Sequence, residues 1–439
     1  MSDRHVGVVG AGYVGLTSGA GFYHLGHRVT LVDIDAHRVE ALRSGELPFL
    51  EPELERLVTQ GVASERLHIT TDRTALASCD TVFVCVPTPM GEDGAADLSS
   101  VDAVVTELAA LLAPGSIVVT KSTVPVGTTI RIGERLEPHG ITVVSNPEFL
   151  RESHAVQDFL NPDRIVVGAS DADAGQRVVD LYAGVEAPVL RMDPASAELA
   201  KYASNAFLAL KLSYANTLAE LCDHFAADIR DVGRAMGADH RIGTSFLNPG
   251  PGWGGSCLPK DTHALLATSE RGGVSFPLLR AALETNAAQA HRVVAKARQA
   301  AGIDAGGSLE GVRIGLLGLA FKADTCDVRD SPALTVAAAL SEEGAVLTAY
   351  DPGVSPDSPT IPGVQVVDDP YLVAKDAAVL VLLTEWSDFR TLDWDLVGTL
   401  AQRKAIVDTR NLLDPAVLRD SGFQLVSNGL GDGEAQRCG

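Results

Sequence analysis

The sequence predicts an α/β fold with two doubly wound, Rossmann-like domains joined by a long central helix. Two series of short Val/Ile-rich segments alternate with helical stretches, one over residues 5–190 and one from residue 312 onward. Such spacing is typical of parallel strands with crossover helices. Between the two series, Ala195 to about Phe225 contains no Gly or Pro, which predicts a single long helix. A chain of 439 residues also exceeds what one hydrophobic core usually holds.

The predicted strands of the first series are 5–10, 28–33, 81–86, 116–121, 141–145 and 164–168, and those of the second are 312–317, 345–350, 378–383 and 405–408. Asp193 is expected to cap the long helix, with Pro194 as its first residue. Residues 303–310 are expected to form a linker. We therefore divide the chain into residues 1–194, 195–302 and 303–439, and we expect more helices in the central part.

The overall charge excludes some classes of partner. Acidic residues outnumber basic residues by 57 to 35, and the formal net charge is −22. A nucleic-acid backbone would require clustered Lys and Arg, so we expect no such partner. We also expect no signal peptide and no membrane span, because the N-terminus begins with a strand-like segment and every apolar run is short. The six cysteines are scattered without a CxxC pair, which favours reduced thiols in the cytoplasm and no metal site.

A glycine motif, Gly10-Ala11-Gly12-Tyr13-Val14-Gly15, stands between a predicted strand and a predicted helix. Glycines at these positions let the backbone turn tightly and approach a pyrophosphate at the helix N-terminus. The motif alone is weak, but Asp33 closes the second strand, where a carboxylate accepts hydrogen bonds from both ribose hydroxyls. That carboxylate would repel a 2′-phosphate. The cofactor is therefore predicted to be NAD and not NADP.

A similar segment, Gly315 to Phe321, begins within the first strand of the second series and extends beyond its end. Phe321 replaces the last glycine of the motif, so we expect no second dinucleotide site, although a mononucleotide could bind at the strand ends. Lys322, Arg329 and Arg410 all follow predicted strands. Each alone is more often a solvated surface charge, but three such cations in an acidic protein favour phosphate recognition.

The segment Gly252-Trp253-Gly254-Gly255-Ser256-Cys257-Leu258-Pro259-Lys260-Asp261 contains the candidate nucleophile. Pro259 is predicted as the first helical residue, so that Cys257 precedes a helix N-terminus and Lys260 lies in the first turn. Both features stabilise a thiolate. The alternative is a buried structural cysteine, but a Gly-rich loop before a helix favours a nucleophile. The remaining internal cysteines are predicted to be structural: Cys79, Cys85, Cys222 and Cys326.

Two further groups of polar residues have open interpretations. Glu148 and Glu152 follow a predicted strand, so they lie either in an active site at the carboxyl end of the sheet or at an exposed helix start. Lys201 and Asn205 are one turn apart on the long helix and share a face. A surface pair is the commoner explanation for the second group, and the helix sequence itself does not change it.

Together these segments resemble the UDP-glucose/GDP-mannose dehydrogenase family, most closely its UDP-glucose 6-dehydrogenase branch, over roughly residues 5–415. The resemblance rests on six ordered motifs: Gly10–Gly15, Ser122–Pro125, Asn146–Glu152 continuing into Asn161–Arg164, Lys201 with Asn205, Gly254–Asp261, and Phe321-Lys322 through Arg329. It implies an N-terminal NAD domain, a long central helix in a helical dimerisation region, and a C-terminal domain that binds the nucleotide.

The resemblance also implies a reaction, in which a nucleotide-sugar CH₂OH group loses two hydrides to two NAD⁺ and becomes a carboxylate. Cys257 matches the family nucleophile, which forms a thiohemiacetal and then a thioester. Asp261 matches the group that, with water, deprotonates the alcohol. Lys201 and Asn205 match the groups that stabilise the oxyanion. Glu148, with Thr123 beside it, matches the carboxylate that activates the hydrolytic water.

Binding residues are implied in the same way. The implied NAD contacts are, within the glycine motif, Gly10, Gly12, Tyr13, Val14 and Gly15, and, beyond it, Asp33, Arg38, Thr88, Thr123, Glu152, Lys260 and Arg329. The implied substrate contacts are Glu148, Phe149, Leu150, Arg151, Glu152, Lys201, Asn205, Arg241, Phe246, Leu247, Asn248, Pro249, Gly250, Gly254 and Lys322. The residue that matches Arg241 reaches across the dimer in the family, so a homodimer or a higher assembly of dimers is expected.

Several alternatives remain open at the level of sequence. Uracil and thymine present the same hydrogen-bonding edge, so dTDP-glucose is an alternative substrate, as are GDP-mannose and a UDP-N-acetyl-hexosamine. A non-catalytic nucleotide-sugar sensor is a further alternative, which the intact set of Cys257, Lys260 and Asp261 disfavours. Trp253 stands where the family usually has Phe or Tyr, which leaves the shape of the sugar pocket open.

Overall fold

A computed structural model describes residues 4–91, 94–357 and 363–431, and the chain divides into two compact units. The first unit extends to Asn205 and includes His263–Ser275. The second unit comprises Ala206–Thr262 and the chain from Phe276 onward. The three segments expected from the sequence, with boundaries after residues 194 and 302, stay a prediction.

The first unit is built on an eight-stranded sheet in the order β3-β2-β1-β4-β5-β6-β7-β8. Its strands are β1 (His5–Val9), β2 (Arg28–Val32), β3 (Leu67–Thr70), β4 (Thr81–Val84), β5 (Ile117–Thr120), β6 (Thr142–Ser145), β7 (Ile165–Ala169) and β8 (Val189–Met192). The chain leaves β1 toward β2 and β3 and then returns to β4 on the other side. Ligands of doubly wound sheets bind at this kind of switch point, beyond the carboxyl ends of β1 and β4.

Helices cover both faces of this sheet, as the alternation of buried side chains along β1 shows. Val8 belongs to one apolar cluster, with Leu16 and Phe22, whereas Val9 belongs to another, with Val101. The helices of the unit are α1 (Tyr13–His24), α2 (Ala36–Ser44), α3 (Leu54–Ala63), α4 (Ser99–Leu111), α5 (Thr128–Leu136), α6 (Ala155–Leu160) and α7 (Ala172–Asp180).

The long helix predicted from the absence of Gly and Pro is confirmed as α8 (Pro194–Phe225), 32 residues in length. Its N-terminus has the predicted cap, because the backbone N–H of Ser196 donates to Asp193 Oδ1 at 2.9 Å. Pro194 is its first residue, where the missing N–H costs no hydrogen bond. The boundary between the two units falls within α8, after Asn205.

The second unit contains a six-stranded parallel sheet in the order β11-β10-β9-β12-β13-β14. Its strands are β9 (Arg313–Leu317), β10 (Val346–Tyr350), β11 (Val364–Val366), β12 (Val379–Leu382), β13 (Ala405–Asp408) and β14 (Gln424–Ser427). The remaining helices are α9 (Ile229–Gly237), α10 (Leu258–Arg271), α11 (Pro277–Ala300), α12 (Pro332–Glu342), α13 (Trp394–Leu400) and α14 (Pro415–Asp420). The second switch point lies between β9 and β12. The predicted α/β class is confirmed in both units.

The sequence interpretation missed four strands and one strand direction. The missed strands β3, β8, β11 and β14 have three or four residues each, and β8 is largely exposed, so none produces a long apolar run. The first sheet is not wholly parallel, because β7 runs antiparallel to β6. Hydrophobic pattern does not record strand direction, which is why this feature was not predicted. Within the described parts of the chain, no helix combines the length and apolar character needed to cross a membrane.

Candidate active site

The glycine motif forms the turn between β1 and α1 that the sequence predicts. Gly10 has φ of +99°, and a Cβ atom there would lie 2.8 Å from the carbonyl oxygen of Cys85. A Cβ on Gly15 would lie 1.8 Å from the carbonyl oxygen of Gly10, so only glycine permits this approach of helix to turn. At Gly12 a Cβ would meet no atom within 4 Å. The motif therefore leaves open space directly before α1.

This open space fits the pyrophosphate of a dinucleotide. No side chain of the described residues caps the N-terminus of α1, so its backbone N–H groups and the helix dipole are available to an anion. Asp33 lies buried just beyond β2, where its Oδ2 accepts the backbone N–H of Ala11 at 2.6 Å. The guanidinium of Arg38 lies 3.2 Å from the same oxygen. The fit supports a dinucleotide whose ribose hydroxyls meet the Asp33 carboxylate.

Thr88 and Thr123 are brought together beyond the ends of β4 and β5, beside this turn. The hydroxyl of Thr88 donates to the backbone carbonyl of Thr123 at 2.9 Å. Ser122 secures the same segment by donating its hydroxyl to the carbonyl of Val86 at 2.6 Å. Both predicted threonines thus stand at the sheet edge where the sequence placed the cofactor site.

Glu148 and Lys201 form a buried ion pair, with the Lys201 ammonium 3.0 Å from Glu148 Oε1. Burial disfavours the charged form of Glu148, but the ammonium of Lys201 and the backbone N–H of Leu150 outweigh it. The pKa of the Glu148 carboxyl therefore lies below its ordinary value. A carboxylate held ionised in a water-poor site is a suitable general base.

The sequence left two interpretations open, one for Glu148 with Glu152 and one for Lys201 with Asn205, and the local structure and burial of these residues decide between them. Residues 146–153 contain no helix, and α6 begins only at Ala155, so Glu148 is not at an exposed helix start. Glu152 in the same segment is partly buried. Lys201 and Asn205 are both buried, so the surface-pair explanation is wrong. The ion pair with Glu148 offsets the desolvation of the Lys201 ammonium and so permits its burial.

The segment around Glu148 has two further fixed points. Glu148 Oε2 accepts the backbone N–H of Leu150 at 2.6 Å, which shapes the turn after β6. The ring of Phe149 lies under the guanidinium of Arg164 at 3.7 Å and within 5.3 Å of the Lys201 ammonium. Cation–π contacts of this geometry orient the aromatic ring. Phe149 and Arg164 come from separate halves of one sequence motif, and the fold joins them.

Glu51 is a residue of this region that sequence reasoning missed. The hydroxyl of Tyr13 in the glycine motif donates to Glu51 Oε2 at 2.6 Å and to the backbone carbonyl of Arg151 at 2.9 Å. Glu51 Oε1 accepts the backbone N–H of Val156. Glu51 thereby links the cofactor turn to the segment after β6, while Arg151 itself is exposed and paired with Asp158 at 2.6 Å. No motif marks Glu51, which lies between two Pro-containing turns.

In the second unit, Cys257 lies exposed directly before α10. The helix begins at Leu258, one residue earlier than predicted, and the backbone N–H of Asp261 donates to the carbonyl of Cys257 at 2.9 Å. The Asp261 side chain is fully buried and lies 2.5 Å from the ammonium of Lys260. An exposed sulfur directly before a helix N-terminus is an environment expected of a nucleophilic thiol.

The other cysteines only partly match the prediction. Cys79, Cys85 and Cys222 are buried, and burial raises the pKa of the Cys79 and Cys85 thiols to about 12. Cys326 is exposed, so burial does not support the predicted structural role of this residue, which stays a prediction. It belongs to the irregular segment between β9 and α12. Cys438 lies outside the described residues.

The glycine segment before Cys257 packs closely against the loop that follows β9. A Cβ on Gly254 would lie 1.9 Å from the carbonyl oxygen of Asp330, and Gly255 has φ of +83°. Trp253 is buried, and its indole N–H donates to Ser213 at 2.8 Å. These contacts hold the backbone that leads into Cys257. They also explain why glycine recurs in this segment.

Residues 246–250 meet one of the cations at the strand ends. The backbone N–H of Gly250 donates to Asn216 Oδ1 at 2.8 Å, and a Cβ on Gly250 would lie 2.9 Å from the Arg410 guanidinium. Arg410 follows β13 and also pairs with Glu385 at 3.0 Å. Within the same segment, Phe246 has φ of +63° and Leu247 is buried. Asn248 and Pro249 connect Leu247 to Gly250 in this segment.

Other predicted binding residues of the second unit form ion pairs with neighbouring acids. Arg329 lies 2.5 Å from Asp327 and Arg241 lies 2.5 Å from Asp239, and both guanidinium groups are largely exposed. The Lys322 ammonium lies 5.7 Å from the ring centre of Phe321. Of the three cations at strand ends, the structure thus brings Arg410 against the 246–250 segment.

Comparison with known proteins identifies the family. Three models of the UDP-glucose/GDP-mannose dehydrogenase family match consecutive parts of the chain: its NAD binding domain at residues 4–186, its central domain at 195–288 and its UDP binding domain at 315–415. This chain belongs to the UDP-glucose/GDP-mannose dehydrogenase family.

Individual relatives cover nearly the whole chain. It is 43% identical to a UDP-glucose 6-dehydrogenase of Rhizobium meliloti (strain 1021), over 97% of this chain and 99% of that protein. A UDP-glucose 6-dehydrogenase of Pseudomonas aeruginosa is 41% identical, over 98% of each chain. The solved structure of a UDP-glucose dehydrogenase from the archaeon Pyrobaculum islandicum superposes with a TM-score of 0.88 at 36% identity, over 98% of each chain.

The family places the residues described above in their domains. The NAD binding domain contains the glycine motif, Asp33 and Glu148, so NAD is the cofactor and the protein is an oxidoreductase. The central domain contains Lys201, Cys257 and Asp261. The match to a UDP binding domain over residues 315–415 supports a nucleotide-sugar substrate.

Proposed function

We propose that this member of the UDP-glucose/GDP-mannose dehydrogenase family oxidises the C6 hydroxymethyl group of UDP-glucose to the carboxylate of UDP-glucuronate. The names of the Rhizobium and Pseudomonas relatives support this choice of sugar nucleotide. The single observation that carries the proposal is the exposed Cys257 thiol at the N-terminus of α10, with the buried Asp261 carboxylate in the first helical turn. A protein that only bound the nucleotide sugar would need neither group.

In the proposed reaction, two NAD⁺ molecules, held one after the other at the glycine motif, would each take one hydride from the substrate. Asp261, acting with a water molecule, removes the proton of the C6 hydroxyl. The Cys257 thiolate adds to the resulting aldehyde, forming a C–S bond, and the oxyanion takes a proton to give a thiohemiacetal. The second oxidation converts this adduct to a thioester bound to Cys257. The aldehyde therefore remains attached to the protein and is not released.

Hydrolysis of the thioester completes the reaction. Glu148 removes a proton from the attacking water, and the C–S bond breaks to release the carboxylate and the Cys257 thiol. Lys201 and Asn205 donate hydrogen bonds to the oxyanion that develops at the former carbonyl. The 3.0 Å contact between Glu148 and Lys201 supports this division of roles, because the ammonium keeps the base ionised.

We further propose a homodimer formed through α8. Its exposed apolar side chains Phe207, Tyr214 and Leu221 follow each other at intervals of seven residues, which places them on one helix face, and Phe225 continues this face. A second copy of the chain would bury this row, and Arg241, largely exposed here, would then reach the site of its neighbour. Free thiols at the five described cysteines accord with the cytoplasm as the expected compartment.

The substrate assignment is tested by turnover of UDP-glucose, dTDP-glucose, GDP-mannose and a UDP-N-acetyl-hexosamine under identical conditions. We expect UDP-glucose to have the highest kcat/KM and to yield two NADH for each sugar consumed. If another of these sugars had the highest kcat/KM and also yielded two NADH, that sugar would be the substrate and the assignment to the family would stand. Binding of all four without NADH formation would instead indicate a nucleotide-sugar sensor.

A further inference from the structure

A buried lysine that the proposed reaction does not use lies beside the Glu148 segment. Lys121 directly follows β5, and only 3% of it is exposed. Its ammonium donates to Asn146 Oδ1 at 3.1 Å and to the Tyr182 hydroxyl oxygen at 3.2 Å. Tyr182 in turn donates its hydroxyl to Asn146 Oδ1 at 2.6 Å. Burying an ammonium costs several kcal/mol, so a lysine kept here calls for an explanation beyond packing.

The contacts of Lys121 fix the start of the Glu148 segment. Asn146 directly follows β6, and its side-chain N–H donates to the carbonyl of Val166 at 2.8 Å. The amide is thus held from one side by β7 and from the other by Lys121. Glu148 is only two residues further along the chain. A shift of Asn146 would therefore move the backbone that carries the carboxylate.

Four titratable groups act on the Lys121 ammonium. Two of them, Cys85 and Tyr182, are neutral near pH 7, because burial raises the pKa of the Cys85 thiol to about 12 and that of the Tyr182 hydroxyl above its ordinary value. The charged groups are Glu148 and Lys201. Burial lowers the pKa of Lys121 to about 8; Cys85 and Glu148 oppose this decrease, and Lys201 adds to it. Lys121 is therefore mostly charged near neutral pH.

We propose that Lys121 is a positioning residue for thioester hydrolysis, which orients Asn146 and supplies a second positive charge that keeps the Glu148 carboxylate ionised. This inference rests on the proposed role of Glu148 as the base. Lys201 forms the ion pair with Glu148. Lys121 instead contacts Asn146, and its positive charge acts on Glu148 from that position. The field of Lys121 favours the ionised form of Glu148, in the same direction as that of Lys201.

The test is the pH dependence of product formation in Lys121→Gln, which retains an N–H donor for Asn146 but has no charge. Loss of the positive charge makes protonation of Glu148 easier, so the acidic limb of the kcat profile should move to higher pH by about one unit. Lys121→Met provides a second uncharged variant if Lys121→Gln does not fold. Lys121→Arg retains the charge and should keep the acidic limb near its wild-type position.

Tyr182→Phe is the matched control, because it removes a hydrogen-bond partner of Lys121 and Asn146 without changing any charge. We expect its acidic limb to coincide with that of the wild type. An unshifted acidic limb in the uncharged Lys121 variants would overturn the inference, and so would an equal shift in Tyr182→Phe. Failure of the proposed function is recognised separately: Glu148→Gln would then hydrolyse the thioester at the wild-type rate, whatever the Lys121 variants do.

Discussion

The carboxylate of Glu148 and the ammonium of Lys201 lie 3.0 Å apart, and both side chains are buried. Glu148 belongs to the turn after β6, whereas Lys201 lies on α8, 53 positions further along the chain. The pair therefore joins the edge of the first sheet to the long helix. It also places an ionised carboxylate and an ammonium side by side, the arrangement that the proposed hydrolysis of the thioester would use.

Replacement of Glu148 by Gln should slow hydrolysis selectively. The variant cannot accept a proton from water, so the loss in kcat should be about 10²-fold or more, and a thioester should accumulate on Cys257. Intact-protein mass during turnover detects that adduct. Because breaking a buried pair costs about 3–5 kcal/mol, the melting temperature must be measured alongside.

A matched control for this prediction is Glu53→Gln. The Glu53 carboxylate also pairs with a cation at 3.0 Å, that of Arg56, but both side chains are exposed. Exposed pairs contribute at most about 1 kcal/mol, so neither kcat nor stability should change much. Absence of a protein adduct in Glu148→Gln, with kcat unchanged, would exclude Glu148 as the base.

Cofactor preference should depend on the charge of Asp33. The wild type should use NAD⁺ with a kcat/KM at least about 10²-fold above that for NADP⁺, because a buried carboxylate repels the 2′-phosphate. Asp33→Asn removes the charge but keeps an oxygen for the backbone N–H of Ala11. The ratio of kcat/KM for NAD⁺ to that for NADP⁺ should therefore fall without disruption of the turn. Asp33→Ala should lower this ratio as well, with a larger loss of stability. Equal use of both cofactors by the wild type would refute the assignment.

Assembly should depend on the exposed face of α8. Leu221→Glu places a charge in the row of apolar side chains that we propose as the dimer interface, so it should shift the protein toward monomer in sedimentation velocity. Leu396→Glu on α13 changes a similarly exposed leucine outside that row and should leave the assembly intact. A wild type that sediments as a fully active monomer would contradict the proposed dimer.

How much of this could be predicted from sequence depends on whether a feature is local. The Gly10–Gly15 turn, the Asp193 cap and the length of α8 follow from glycine conformation, capping and the lack of helix breakers, so the sequence predicts them. The burial of Lys201 does not follow from its helix, because its partner Glu148 lies on a distant segment. Because that partner could not be inferred from the helix alone, the spacing of Lys201 and Asn205 favoured an exposed position for both.

The hydrogen bonds of Glu51 and Lys121 could not be predicted from the sequence, for the same reason. Each connects segments far apart in the chain, and neither residue belongs to a motif with a known mechanism. Cys326 shows another limit: the sequence predicted a structural residue, but the segment after β9 is irregular and the side chain is exposed. Only the three-dimensional arrangement determines such cases.

The most direct test of the account is a count of NADH and of protein adduct for Cys257→Ser with UDP-glucose and NAD⁺. Alcohol deprotonation depends on Asp261 and water, so the first oxidation should persist. A serine hydroxyl is a much weaker nucleophile than a thiolate, and the serine alkoxide is a poorer leaving group from the acyl intermediate. We expect at most one NADH per sugar, almost no free UDP-glucuronate, and a loss of several powers of ten in overall turnover. Cys326→Ser, at the other exposed cysteine among the described residues, should behave as wild type. Two NADH and free UDP-glucuronate from Cys257→Ser at near wild-type rate would contradict the covalent mechanism.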